Sequence, residues 1–282
     1  MSEAAGVSVG IVIPAYNEEE TIRGCVEAAL GQTVPADEII IVDNRSRDNT
    51  RAILDELIAR HPHAPLRVLS QESEQGITPT RNMGFDAVES DVIGRIDSDT
   101  LLEPNWVEQV KRVFADPGVH AATGPVIYYD MPLRRYMARA DDTMRKAMFR
   151  LATSYKFLFG TNMALRKDAW QTIRDEVCLD SDDDMHEDID LSVHLYDQGF
   201  RAIYSSQMVA GMSARRLEDN PKDFYDYVQR FDRTYRHHGI RKRRLRAPAW
   251  VYLAMYPIAK GMRWSHKLRE NQVSKIPRID LR

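Results

Sequence analysis

Two acidic residues one position apart, Asp97 and Asp99, close the run Val92-Ile93-Gly94-Arg95-Ile96-Asp97-Ser98-Asp99-Thr100. The apolar residues before them predict a strand that delivers both to its end. In an extended chain residues i and i+2 point to the same side. The two carboxylates therefore converge on one hard cation, which takes oxygen ligands. An isolated Asp-x-Asp also occurs in solvated turns, so the reading depends on what else reaches the same edge.

Three other stretches do. Ile11-Val12-Ile13-Pro14-Ala15-Tyr16-Asn17-Glu18-Glu19 predicts a strand that stops at Pro14, with Tyr16 placed to stack on a base or ribose. Ile40-Ile41-Val42-Asp43-Asn44-Arg45-Ser46-Arg47-Asp48-Asn49-Thr50 brings Asp43 and Asn44 to a second strand end. There they can hydrogen-bond a nucleobase, while Asp48 or Asn49 can cap the next helix. Gly76-Ile77-Thr78-Pro79-Thr80-Arg81-Asn82-Met83-Gly84 opens a helix whose Arg81 can meet a phosphate or a base. Nucleotide-dependent α/β enzymes build their sites beyond the carboxyl ends of parallel strands.

The elements that must position these residues alternate. Strand-like Val7–Ile13, Glu38–Val42, Leu66–Leu69 and Val92–Ile96 are each followed by a helical pattern, over Glu18–Leu30, Asn49–Arg60, Thr78–Val88 and Pro104–Phe114. That alternation predicts βαβ units and a parallel sheet. Pro104 suits a first helical turn. The second half is less regular: one or two strands over Val119–Tyr129, a Met-rich helix over Leu133–Leu151, a strand over Phe157–Leu165, and helices over Glu187–Tyr196 and Pro221–Arg236.

The ordered set of motifs resembles the family 2 glycosyltransferases of the GT-A fold. The family's first-strand motif stands here as Pro14, Tyr16, Asn17 and Glu18, and its second as Val42, Asp43, Asn44, Ser46 and Asp48. Its third-helix motif is Thr80, Arg81, Asn82 and Gly84, and its D-x-D is Asp97 and Asp99. Phe159-Gly160-Thr161-Asn162 resembles the acceptor-side G-x-N strand. His186-Glu187-Asp188-Ile189-Asp190-Leu191 with Gly199-Phe200-Arg201 resembles the E-D-x-D-L…G-x-R helix. The likeness covers about residues 7–205, and six motifs in order are far more specific than any one.

The resemblance implies an α/β, Rossmann-like domain, transfer of one sugar from a nucleotide-sugar donor with inversion, and Mn2+ or Mg2+ as cofactor. It implies donor contacts from Pro14, Tyr16, Glu18, Asp43, Asn44, Arg81, Asp97 and Ser98. Asp99 holds the cation, with Asp97 on the cation or the ribose. Acceptor contacts fall to Gly160, Thr161, Asn162 and Trp106. Asp188 is the expected general base, with Glu187 second, since helical neighbours point roughly 100° apart. Two departures bear on this. Asn44 replaces the second acid of the usual V-D-D pattern, so UDP-, dTDP- and GDP-sugars all stay open as donors. Many relatives add a metal-binding His past the base, where this chain has Gly211-Met212-Ser213-Ala214-Arg215-Arg216. Either water and phosphate oxygens complete the cation, or His237 or His238 reaches back; Arg215 and Arg216 can offset diphosphate charge. Gln229-Arg230-Phe231-Asp232-Arg233 only half matches the motif of processive relatives, which favours single transfers.

Other features take plainer readings. Residues 180–190 hold seven acids, Asp180, Asp182, Asp183, Asp184, Glu187, Asp188 and Asp190. They do not form a calcium loop, because the required Gly is Met185 and the twelfth position is Leu191. The two cysteines, Cys25 and Cys178, are isolated, with neither a disulfide framework nor zinc spacing, which suits a reducing, cytoplasmic compartment. His194 reads as a packed or exposed helix residue. Met131, Met137, Met144 and Met148 read as core or lid filler, or as an apolar acceptor groove. The start, Met1 to Gly6, has no basic n-region, so no signal peptide is expected.

Net charge is −3, but residues 241–282 carry +10 and the rest −13. We expect a glycosyltransferase domain over 1–240 and a basic amphipathic tail over 241–282. Ala247–Ala259 lacks charges, contains Trp250, Tyr252 and Tyr256, and is interrupted by Pro257; it is too short to cross a bilayer. It either lies in an anionic membrane interface, near a lipid or lipid-linked acceptor, or packs on the domain. An acidic body without a nucleic-acid motif excludes nucleic acid as partner. A nucleotidyltransferase needs a Gly-rich loop after the first strand, which Pro14-Ala15-Tyr16-Asn17 is not. A nucleotide-sugar-binding protein without turnover does not need Asp97, Asp99 and Asp188 together.

Overall fold

A computed structural model of the chain describes residues 6–152, 154–180, 184–241 and 247–270. Met1–Ala5, Asp182, Asp183, Lys242, Arg243, Arg244, Arg246 and the basic residues after 270 lie outside the described residues.

The elements run β1 (Val9–Ala15), α1 (Ile22–Leu30), β2 (Glu38–Asp43), α2 (Thr50–Arg60), β3 (Leu66–Ser70), α3 (Ile77–Ala87), β4 (Val92–Arg95), β5 (Leu101–Leu102) and α4 (Trp106–Phe114). Then follow β6 (Ala121–Thr123), β7 (Val126–Tyr128), α5 (Arg134–Leu151), β8 (Met163–Arg166), α6 (Lys167–Ile173), α7 (Glu187–Asp197), β9 (Ala202–Tyr204) and β10 (Ala210–Met212). A 3-10 turn over Arg215–Glu218 leads into α8 (Pro221–His237) and α9 (Ala247–Glu270).

Seven strands form one sheet in the order β3-β2-β1-β4-β8-β6-β9. Only β8 runs against its neighbours β4 and β6; the other pairings are parallel. The mostly parallel α/β sheet expected from the sequence is therefore present. Alternation along each strand loads both faces. Ile11, Ile13, Ile39 and Ile41 pack with Ile22, Cys25 and Val26 of α1 and Trp106, Val107 and Val110 of α4. Val12, Ile40 and Val42 pack with Phe85 of α3, Trp170 of α6 and Leu191 of α7. Strands buried on both faces read as unbroken apolar runs. Gly84 lets α3 sit close to the sheet, since a Cβ there would come 2.3 Å from Val12 Cγ1.

Several expectations shift in detail. Pro14 lies inside β1, paired with Val42, so the strand runs to Ala15. Pro104 precedes α4, whose N-cap is Asn105. Asp48 rather than Asn49 takes the N–H of Thr50 at the start of α2. Only Met163–Leu165, the last third of Phe157–Leu165, is strand, and Phe159 bridges to Asn162 instead. A small second sheet, β5-β10-β7, was not expected from the pattern, because strands of two or three residues carry no periodicity. The helix α9 continues through Pro257 to Glu270.

Candidate active site

Strand order reverses between β1 and β4, and a crevice forms beyond the carboxyl ends at such a point. Tyr16 leaves β1 there and is exposed. Asp43 ends β2, buried, its Oδ1 accepting the N–H of Ser46 at 3.1 Å. The strand β4 stops at Arg95, so Asp97 and Asp99 lie in the turn after it, closed by the Thr100 N–H on the Asp97 carbonyl at 3.0 Å. The strand argument for their convergence thus fails, yet the turn still brings them together.

Asp97 is held from two sides. Its Oδ1 meets Arg95 Nη2 at 2.8 Å and its Oδ2 accepts from Thr161 Oγ1 at 2.6 Å. Asp99 is nearly buried. Its Oδ2 lies 3.1 Å from Arg215 Nε, and its carbonyl accepts from Tyr129 Oη at 3.1 Å. Burial first, and the charge of Asp97 second, push the Asp99 carboxyl up to about 7. The Arg215 guanidinium also clasps both carboxylate oxygens of Glu18, at 2.5 and 2.7 Å. Ser98 is buried in the same turn.

The first turn of α7 faces this group across Arg95. That arginine is buried inside the sheet edge and its Nη2 also meets Glu187 Oε1 at 2.9 Å. Burial would raise the Glu187 carboxyl, but the Arg95 and Arg81 guanidiniums outweigh it and hold it below the usual range. Asp188 points elsewhere. Its Oδ2 accepts the N–H of Gly160 at 3.0 Å, and its Oδ1 accepts the N–H of Ile189 at 2.8 Å. Burial, then the neighbouring Glu187 charge, push the Asp188 carboxyl up to about 7. A carboxyl that titrates near neutrality suits a general base. Gly160 is required by Arg95: a Cβ there would come 1.6 Å from Arg95 Nη1.

Other expected site residues are interior. Asn44 is buried, donating to the carbonyls of Gln71 and Glu74 and accepting from Gln75 and the Gly76 N–H. It organises the 71–76 loop and has no capacity left for a base. Arg81 is fully buried, its guanidinium bonding the Glu187 carbonyl and Asn82 Oδ1. Trp106 donates its indole N–H to Asn162 Oδ1 at 2.8 Å, and Asn162 Nδ2 bonds the carbonyls of Pro125 and Met208. Both are fully buried, with their polar groups paired inside the fold. Pro14 is buried within its strand. His237 and His238 do not reach Asp99; they lie beside Cys178 and Asp190. Met144 and Met148 are exposed on α5, while Met131 is buried. Arg95 carries more of the site than the sequence suggested. Its one signal was a charge inside an apolar strand, a placement that requires partners.

The donor set fits a hard divalent cation. Glu18, Asp97, Asp99, Glu187 and Asp188 stand against the guanidiniums of Arg81, Arg95 and Arg215, with Arg216 also acting on Asp99, so the carboxyl groups outnumber the guanidiniums. Asp99, lifted by burial and by Asp97, is a carboxylate that a cation would relieve.

Residues 10–174 match the model of glycosyl transferase family 2. The chain belongs to that family. It is 43% identical over 100 residues to the chondroitin synthase of Escherichia coli, covering 36% of this chain and 14% of that protein. The fold resembles PcManGT, a mannosyltransferase from Pyrobaculum calidifontis solved in complex with GDP-Man and Mn2+, with a TM-score of 0.66 and 18% identity over 97% of this chain and 78% of that one. It also resembles S. aureus TarS 1-349 in complex with UDP-GlcNAc, with a TM-score of 0.55 and 15% identity over 95% and 76% of the two chains. These neighbours place the sheet in the GT-A fold.

Proposed function

We propose that the chain transfers a single sugar from a nucleoside diphosphate sugar to an acceptor hydroxyl, with inversion at the anomeric carbon. The carrying observation is the chain of contacts from the Asp97/Asp99 turn through Arg95 and Glu187 to Asp188, which sets a cation-seeking acidic turn opposite a carboxyl poised near 7. In this reading Asp188 takes the acceptor proton as the acceptor oxygen bonds to the anomeric carbon. The bond to the β-phosphate breaks, and its electron pair leaves with the nucleoside diphosphate. Arg215, freed from Glu18 and Asp99, turns toward the departing diphosphate. Asp97 and Asp99 would hold Mn2+ or Mg2+, which when bound neutralises leaving-group charge. Tyr16 and Asp43 contact the nucleoside, and Gly160 and Thr161 border the acceptor side. The solved mannosyltransferase and its Mn2+ support this donor class, as does the TarS complex with UDP-GlcNAc.

The domain reading extends to residue 240, with 241–282 as an appended segment. On α9 one face packs inward: Tyr256 stacks on Phe224 at 4.2 Å and Arg263 pairs with Asp130 and Glu218. The other face presents Trp250, Val251, Met255 and Ile258 to solvent. We propose that this face rests in an anionic membrane interface and that the acceptor is lipid-linked, so the chain works at the inner face of the plasma membrane. Among the described residues no helix is long and apolar enough to cross a membrane.

The donor is tested by a panel of UDP-, GDP- and dTDP-sugars with Mn2+ or Mg2+. One donor at 100 times its dissociation constant should add about 2.7 kcal/mol of stability, and acceptor should release its nucleoside diphosphate. No stabilisation by any member would refute the donor reading.

A further inference from the structure

Cys178, Asp190, His194 and His238 offer ligand atoms that all lie within 4.8 Å of one another, away from the Asp97/Asp99 turn. They come from three places: the segment after α6, two successive turns of α7, and the C-cap of α8. We propose that these four residues form a structural zinc site that clips α7 to α8 behind the candidate base.

The donor set is one sulfur, two imidazole nitrogens and one carboxylate oxygen. That mixture suits Zn2+ and does not suit Mg2+ or Ca2+, which require oxygen. Tetrahedral zinc, with bonds of about 2.0–2.3 Å, sets its ligand atoms roughly 3.3–3.8 Å apart. The present separations reach at most 4.8 Å, so the ligand atoms would draw together on binding. Asp190 already gathers the group. Its Oδ1 lies 2.8 Å from His238 Nε2 and 3.5 Å from His194 Nε2, and its Oδ2 accepts the N–H of Cys178 at 3.0 Å. His194 Nε2 is buried and faces the Asp190 carboxylate. Its other nitrogen, Nδ1, lies 3.6 Å from Glu176 Oε2, the outer partner that orients a ligating imidazole. His237 Nε2 sits 3.1 Å from Cys178 Sγ on the solvent side. Zinc would displace the thiol proton of Cys178 on binding.

Asp188 and Asp190 share the first turn of α7 and point about 200° apart. Fixing Asp190 to Cys178 and His238 therefore fixes the turn that carries Asp188, which makes these four positioning residues.

The full chain is stripped with chelator and loaded with Co2+ or Zn2+. We expect one Co2+ per chain in tetrahedral geometry, with a thiolate-to-cobalt charge-transfer band. Cys178→Ser should lose the band, and His238→Asn should bind Zn2+ at least about tenfold more weakly. The doubly substituted Asp97→Asn, Asp99→Asn chain should keep both band and zinc, separating this site from the donor cation. Circular dichroism of each variant controls for folding, and the unsubstituted chain carries the decisive spectrum. A Co2+-loaded native chain without a thiolate band, or one whose band survives Cys178→Ser, overturns the proposal. The readout is spectroscopic and stands whether or not sugar transfer is found.

Discussion

In the proposed mechanism Asp188, held by two N–H donors and lifted by burial, is the base, so its chemistry should follow its titration. A base must be ionised to accept a proton, and its folded value stands near 7. With saturating metal, kcat should fall about tenfold per unit as pH drops below 7 and level off above it. A profile flat between pH 5.5 and 8 would contradict the assignment. Arg95 is the residue on which both acidic groups lean. Replacing it by Met leaves Asp97 and Glu187 facing each other without their shared cation. Breaking the buried Arg95–Glu187 pair costs about 3–5 kcal/mol, measurable by urea denaturation. A loss under 1 kcal/mol would show the charges solvated. The sequence singled out Asp97, Asp99 and Asp188 because each stands in a recognisable motif, and the structure places them around Arg95. It did not separate site from support: Asn44, Arg81, Asn162 and Trp106 share those motifs but are buried scaffold, and burial is a property of packing that no single motif states.

At the scale of elements, the alternating first half was readable because each strand is a continuous apolar run buried on two faces. The pairs β1–α1, β2–α2, β3–α3 and β4–α4 all fall within a few residues of their expected places. The short strands β5, β9 and β10 were not, since two or three residues show no period. The segment before β8 misled for a different reason. Apolar Phe157–Leu165 reads as strand, but Gly160 must pass against Arg95 and Asn162 must turn inward, which breaks the extended run. Gly160→Ala tests that close approach. The added methyl cannot coexist with Arg95 Nη1, so we expect kcat to drop at least tenfold through displaced Asp188 and Arg95, with a loss of about 1–3 kcal/mol in stability. Unchanged kinetics would mean that the loop is not tied to the base.

For the whole molecule, the charge asymmetry acquires a partial structural meaning. Of the tail's basic residues, Lys260 and Arg263 are spent on contacts to Asp219, Glu218 and Asp130. The apolar outer face of α9, more than a charge cluster, therefore carries the membrane proposal. Trp250→Glu with Ile258→Glu leaves the inner face intact and should abolish flotation with anionic vesicles without lowering the melting temperature. Flotation that persists would assign the helix to packing alone. Truncation is the poorer test, because removing α9 bares Phe224.

The central claim, that Asp188 deprotonates the acceptor opposite a cation-held donor, is tested most directly by nucleoside diphosphate release from the stabilising donor in Asp188→Asn. The account predicts release slowed about 100-fold or more, with donor binding by thermal shift intact. Release at the native rate would contradict it.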